Sequence, residues 1–440
     1  MLIRKLLLPK LSLAALTAAA LVGCGKIDPP PFRLNMTNVV AKQIAPENQQ
    51  AIANIMDAMF GTPNEPFAMP ETGLNQRLLK MSAGPVWSDE VGGKHGLYRR
   101  HCVHCHGISG DGHGPTAAIL NPYPRDYRPG IFKFKGTYSA AEPTTEDLKR
   151  VVHDGVPGTA MPSFAILPPD EQEALVEYVK YLSIRGMTEK ALVDYVGENV
   201  NPGDKFDPAT NAELRTLIVE QLLKPIVESW QGAKEQVMAP EDAVAKALEN
   251  RTPAQLAESV SKGRDLFYGP KANCVKCHGP TALGDGQQDD YDDWSKATLE
   301  FIKGTDAKVA EIGSLQKELN DAKGDDIQKV KDQLIAAKKE LTDRQEVITS
   351  LLPPRHAIPR NLREGVYRGG RRPLDLFWRI AAGIRGMPMP GIGPAAAGAQ
   401  GTLSQQEIWQ IVDYVQSLPF EPASQPQKRP INSEPVSTGE

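Results

Sequence analysis

Cysteine and aromatic side chains are scarce in this chain: 440 residues hold five Cys, and Phe, Trp and Tyr together make 6%. So few thiols exclude a disulfide-stapled scaffold of this length. Neither sign of charge is in large excess, with 50 Lys and Arg against 54 Asp and Glu. That balance argues against a nucleic-acid partner and mildly favours basic protein partners. Long apolar runs are missing too. The strongest, Leu11–Val22, is short for a membrane-spanning helix. The length suggests two or three domains, and 38 Gly with 37 Pro indicate many turns.

What is present is concentrated. Four of the cysteines stand in two copies of Cys-x-x-Cys-His: Cys102-Val-His-Cys105-His106 and Cys274-Val-Lys-Cys277-His278. This is the attachment pattern for c-type haem. Two thiols at that spacing on a helix end reach both vinyl groups of one porphyrin, and the next histidine faces the iron as proximal ligand. A shared four-thiolate zinc site would set its pairs ~15–20 residues apart. Here the pairs lie at 102/105 and 274/277, each followed at once by His-Gly. A thioredoxin-like pair would need a strand–helix context that the sequence does not suggest. The expected cofactors are two haem c, held by Cys102, Cys105, Cys274 and Cys277, with His106 and His278 on the irons.

The two halves repeat. Gly93-Lys-His-Gly-Leu97-Tyr98 precedes the first motif, and Gly263-Arg-Asp-Leu266-Phe267-Tyr268 the second. Gly110-Asp-Gly112 then matches Gly284-Asp-Gly286, and Pro124-Arg125-Asp-Tyr-Arg-Pro-Gly130 matches Pro359-Arg360-Asn-Leu-Arg-Glu-Gly365. Gly155-Val-Pro-Gly-Thr-Ala-Met161-Pro162 matches Gly383-Ile-Arg-Gly-Met-Pro-Met389-Pro390, and Leu175–Leu182 matches Ile411–Leu418. Leu175, Tyr178, Val179 and Leu182 form one helical face. Asp170 with Glu173, and Ser404 with Glu407, have capping-box spacing.

Together these blocks resemble class I cytochrome c domains. The resemblance implies an all-α fold in which N- and C-terminal helices cross beside each haem. The expected organisation is a first domain over 88–185, a helical connector over 186–257 and a second domain over 258–420. Inside the second, 289–352 reads as an antiparallel helical hairpin: Ile327, Leu334, Leu341 and Ile348 recur every seven residues, Val309, Ile312, Leu315 and Leu319 form a shorter series, and Gly324-Asp-Asp326 breaks them. The hairpin is either an arm packed on its own chain or a docking element.

The distal ligand decides what a haem does, because a thioether closes the iron for electron transfer and an open position admits ligands or peroxide. Met161 and Met389 hold the same place in the repeat, each before proline and each six residues after a glycine. Methionine sulfur suits iron. Met387 also precedes a proline and competes with Met389. His95, His101, His104, His113, His153 and His356 are read as surface or supporting residues. Arg125 and Arg360 are candidate donors to haem propionates. The runs Ile131–Lys135 and Val366–Arg368 should pack their aromatics beside the porphyrin and expose their basic residues.

The N-terminus combines Arg4, Lys5 and Lys10 with an apolar stretch and small residues before Cys24, a targeting segment. Leu21-Val-Gly-Cys24 resembles the lipobox of bacterial lipoproteins. That implies removal of 1–23, lipidation of Cys24 and attachment to a membrane on the periplasmic side. Residues 24–87 are expected to form a tether with one helix near Pro46–Phe60, closed by Gly61, and 421–440 a tail. The function implied is a dihaem electron carrier working between redox-protein donor and acceptor, not an enzyme. A dihaem peroxidase-like enzyme and a cytochrome subunit of a larger respiratory oxidoreductase are the alternatives.

Overall fold

The computed structural model describes residues 30–424 apart from 202 and 250. Cys24, the leader before it and the tail from 425 lie outside the described residues. Helices dominate, as expected, beside one two-stranded ribbon, β1 (Trp87–Ser88) and β2 (Lys94–His95). The first half contains α1 (Met36–Ala41), α2 (Pro46–Phe60), α3 (Gln76–Ser82), α4 (Leu97–His101), α5 (Val103–His106), α6 (Thr145–Asp154), α7 (Pro169–Asn199), α8 (Ala212–Leu217) and α9 (Lys224–Gln231). A π-helical turn, Ile218–Leu223, joins the last two. The second half contains α10 (Asp242–Glu249), α11 (Pro253–Tyr268), α12 (Val275–His278), α13 (Asp293–Asp321), α14 (Asp326–Ser350), α15 (Pro373–Ala381) and α16 (Gln405–Ser417).

Two apolar cores organise these helices. The first gathers Leu97, Tyr98, Leu175, Tyr178 and Leu182, and the second Phe267, Ile408, Ile411, Tyr414 and Leu418. The segment expected as a tether is folded into the first core, contributing Phe32, Val39, Ile52, Met56, Phe60 and Leu79. The reason is α2, whose Ile52, Met56 and Phe60, spaced four apart, make a stripe with no exposure and must meet another apolar face. That face is α7, where the Tyr181 hydroxyl also donates to the Phe60 carbonyl.

Local signals place most helix ends. Ser404 and Glu407 make the expected capping box of α16. Asp170 and Glu173 do not cap α7; Pro168 is the N-cap and Pro169 opens the helix without a side-chain cap bond. Proline at the first position has a preset φ and no N–H to leave unpaired, so no box is needed. Nor does α7 stop near 185. Its buried stripe continues through Leu192, Val193 and Val196 to Asn199.

The insertion is an antiparallel hairpin of α13 and α14, turning at Gly324. Val330, Leu334, Ala337, Arg344 and Val347 face inward from α14, so the sevenfold series at 327–348 is one edge of a wider stripe. Val309 faces outward, 52% exposed, and does not belong to the seam. Further in, Phe301 and Val347 pack against Val40 of α1. At the hairpin's base, Trp294 lies 5.8 Å from the His113 ring and 5.4 Å from that of Tyr123. Arg355 stacks on Tyr123 at 3.7 Å and donates to the Leu120 and Ala118 carbonyls. The arm's root is therefore seated on the first half of the chain.

Helices α11 and α16 cross in close contact through Gly263. A Cβ there would run into the Gln410 carbonyl and stand 3.0 Å from the Tyr414 Cβ. Gly263→Ala should therefore destabilise the protein by about 1–3 kcal/mol in denaturant unfolding. An unobstructed helical site would instead gain about 1 kcal/mol from the same change.

Candidate functional site

Each Cys-x-x-Cys-His motif forms a single helical turn, α5 or α12, ended by a glycine at positive φ: Gly107 at 74° and Gly279 at 77°. The four cysteines are free thiols. Burial pushes the Cys102 thiol up to about 12 and that of Cys274 up to about 11. Among the described residues no three His, Cys, Asp or Glu converge as a metal cluster. The two cysteine pairs thus do not meet in one zinc site.

The two motif histidines are held alike. His106 Nδ1 lies 3.0 Å from the Arg125 carbonyl and His278 Nδ1 lies 3.4 Å from the Arg360 carbonyl. With Nδ1 donating, Nε2 carries the lone pair and is the atom available to a metal. Burial lowers the pKa of both, that of His106 to about 4, which keeps the rings neutral as a ligand must be. Tyr127 stacks on His106 at 4.6 Å. These carbonyl anchors are what sequence reasoning missed at the Pro-Arg blocks, where it weighed only the side chains. The matched position of the blocks was the available signal.

The methionine loops superpose bond for bond. Val156 N–H donates to the Met161 carbonyl and Ile384 N–H to the Met389 carbonyl, both at 3.1 Å. Thr159 N–H donates to Val156, and Met387 N–H to Ile384. Met389 therefore stands where Met161 does, and Met387 stands where Thr159 does. Gly155 and Gly383 have φ of 68° and 73°. A Cβ on either would strike the prolyl carbonyl carbon after the methionine, at 2.5 and 2.7 Å. Met389 packs at the edge of the second core.

Four of the six remaining histidines are engaged elsewhere. His153 is paired with Asp154 on the surface, His95 stacks on Trp87, His101 packs on Phe164, His356 on Tyr291, and His104 is exposed. His113 Nε2 is buried without a partner. The expectation that the basic residues after the Pro-Arg blocks are exposed fails at Lys135. Its ammonium is buried and donates to Thr137 Oγ1 and to the carbonyls of Tyr138, Ser139 and Ala141. Those acceptors replace the water it loses, while burial still lowers its pKa to about 8.

The residues present fit a covalently held haem in each half. Each half offers two free thiols, an imidazole fixed through Nδ1 and a thioether on a glycine-locked loop. In the second half, Arg360 Nε and Arg368 Nε are buried without partners, the kind of donor a propionate satisfies. A cytochrome c family profile matches residues 93–183 and 260–419, more than half of the chain. The chain belongs to the cytochrome c family. It is a haem electron-transfer cytochrome, and membership carries covalent haem c with it. No curated protein gives a significant match. Among solved structures, the cytochrome is similar to a chain of the Kuenenia stuttgartiensis reducing HAO-like protein complex. Identity is 21%, coverage is 73% of this chain and 94% of that one, and the TM-score is 0.40. A likeness this loose carries no functional argument.

Gly107 and Gly279 test the motif helices directly. A Cβ at either would meet the carboxylate of the following Asp111 or Asp285, in a positive-φ extended region populated essentially by glycine, where a side chain costs about 1–3 kcal/mol. Gly107→Ala and Gly279→Ala should each reduce covalent haem per chain, read from the haem absorbance of the denatured protein.

Proposed function

We propose that the cytochrome carries two haems, one in each half, ligated by His106 with Met161 and by His278 with Met389. It relays single electrons between a donor and an acceptor protein at a membrane surface, tethered through lipidated Cys24 on the periplasmic side. The observation that carries this reading is the pair of matched sites, each with a histidine fixed through Nδ1 and a methionine on a glycine-locked loop. When bound, haem supplies a one-electron ferric/ferrous couple.

The chain's own residues do the rest. Cys102, Cys105, Cys274 and Cys277 tie the group in place. The Arg125 and Arg360 carbonyls hold the imidazoles in one tautomer and orientation. The loops behind Gly155 and Gly383 would offer the Met161 and Met389 thioethers to the haems, and an iron closed by a thioether would favour electron transfer over peroxide chemistry. No acid–base residue is required, and none is assigned.

Optical spectra and a potentiometric titration test the ligand assignments. The oxidised wild type should show the far-red methionine–iron band. Met161→Ala and Met389→Ala should each weaken it and lower one midpoint potential. Absence of the band, or peroxide turnover well above free haem, would favour a peroxidase-like enzyme instead. For the tether, Cys24→Ser should move the protein from the membrane pellet to the soluble envelope fraction; unchanged pelleting would refute lipid anchoring.

A further inference from the structure

The two candidate sites lie against one another. A Cβ on Gly158, in the Met161 loop, would stand 3.2 Å from the Arg360 guanidinium and from Val366 of the second half. A Cβ on Gly386, in the Met389 loop, would stand 3.0 Å from Ile131 of the first half. Ile131 and Val366 are matched residues of the repeat, so the junction is close to two-fold symmetric. Its charges are not.

Each half places a pair of cations beside its histidine anchor: Arg125 with Lys133, and Arg360 with Arg368, again at matched positions. In the first half the insertion brings acids to them. Lys133 Nζ is 3.7 Å from Asp292 Oδ2. Asp293, the next residue, donates its N–H to the Gly386 carbonyl and sets its carboxylate 3.9 Å from the Gly386 Cβ position. Burial lowers the pKa of Arg125 while Asp292, Asp126 and Asp293 act to raise it. In the second half no such acids arrive. Among the described residues Arg360 pairs with Glu364 alone, at 3.4 Å with a half-exposed carboxylate, and Arg368 is destabilised by burial and by Arg360 itself. Neighbouring charges cancel as matched pairs, Arg128 with Asp126 and Arg363 with Glu421, both at 2.8 Å. Further out, Asp375 accepts from Arg372.

We propose that the insertion makes the two sites electrostatically unequal. Asp292 and Asp293 offset the Arg125–Lys133 pair while Arg360–Arg368 receives no such acids from the insertion, so the first electron taken up resides in the second half. Adding an electron adds negative charge, which extra carboxylates beside one site disfavour there, whereas haem propionates would act on both sites alike. The proposal rests on the two-haem reading above. Asp292 and Asp293 act as tuning residues that touch neither iron.

The test is a potentiometric titration of the wild type, Asp292→Asn/Asp293→Asn and Arg368→Gln, with the first haem marked by the midpoint that falls in Met161→Ala. Asparagine can keep the α13 cap that Asp292 makes to the Ser295 N–H, and unchanged circular dichroism confirms the fold. The first haem should have the lower midpoint. The double Asn variant should raise that midpoint and leave the upper one in place, and Arg368→Gln should lower the upper one, each narrowing the gap. A first haem with the higher midpoint, or a double variant that moves neither or both equally, would overturn the proposal. A wild type with only one haem in its spectrum would overturn the two-haem reading itself, and is seen before any acid is changed.

Discussion

One hydrogen bond governs each site: a buried imidazole Nδ1 held by a backbone carbonyl. In the first half that carbonyl lies 19 residues after the histidine, and in the second 82 residues after it. The same geometry survives a large insertion because the insertion returns to its starting point. Tyr291 and His356 bridge its two roots, the Ala357 N–H donates to the Asp290 carbonyl at 2.7 Å, and the Ser295 hydroxyl reaches the Arg355 carbonyl. An antiparallel hairpin closed at its base adds length without moving Arg360, and the closure entropy of a longer loop grows only slowly.

The halves are held together by polar contacts more than by a shared apolar core. Met238 N–H donates to the Gly136 carbonyl, the Trp378 indole to the Met238 carbonyl, and Arg385 reaches Ala141 and Glu142. The buried Lys135 ammonium organises the loop that Arg385 grips, since the Ala141 carbonyl accepts from both. Burial raises the pKa of Glu142, opposed by Arg385 and Lys135. A junction built this way is directional, because a shifted interface would strand its donors and charges at low dielectric.

Much of this was legible in the residues. The Cys-x-x-Cys-His motifs, the five other matched blocks, the Ser404 capping box and the hairpin all carry their signals locally, in spacing and in turn residues. The register of Met389 over Met387 also follows from the glycine spacing, because the loop closes on Gly383. What could not be read depends on contacts between distant segments. The fate of 30–87 turns on α2 finding α7, the burial of Lys135 on four oxygens gathered by one loop, and the meeting of Asp292 with Lys133 on how two halves dock. Asp170 misled because a residue pattern suited to a cap was pre-empted by the prolines before it.

The rooting of the hairpin on the first half has a consequence for how the chain is made. Arg355 bonds the Leu120 carbonyl across 235 positions, and Val347 completes a cluster with Val40. Contacts so remote in sequence are slow to form, since a long loop must close before any of them contributes. As the polypeptide emerges from its amino end, the first half stays unfinished, with Tyr123 and the Val40 face uncovered, until most of the second has been synthesised. The two halves share a repeat, yet the first completes these contacts only once the hairpin's root in the second has been made.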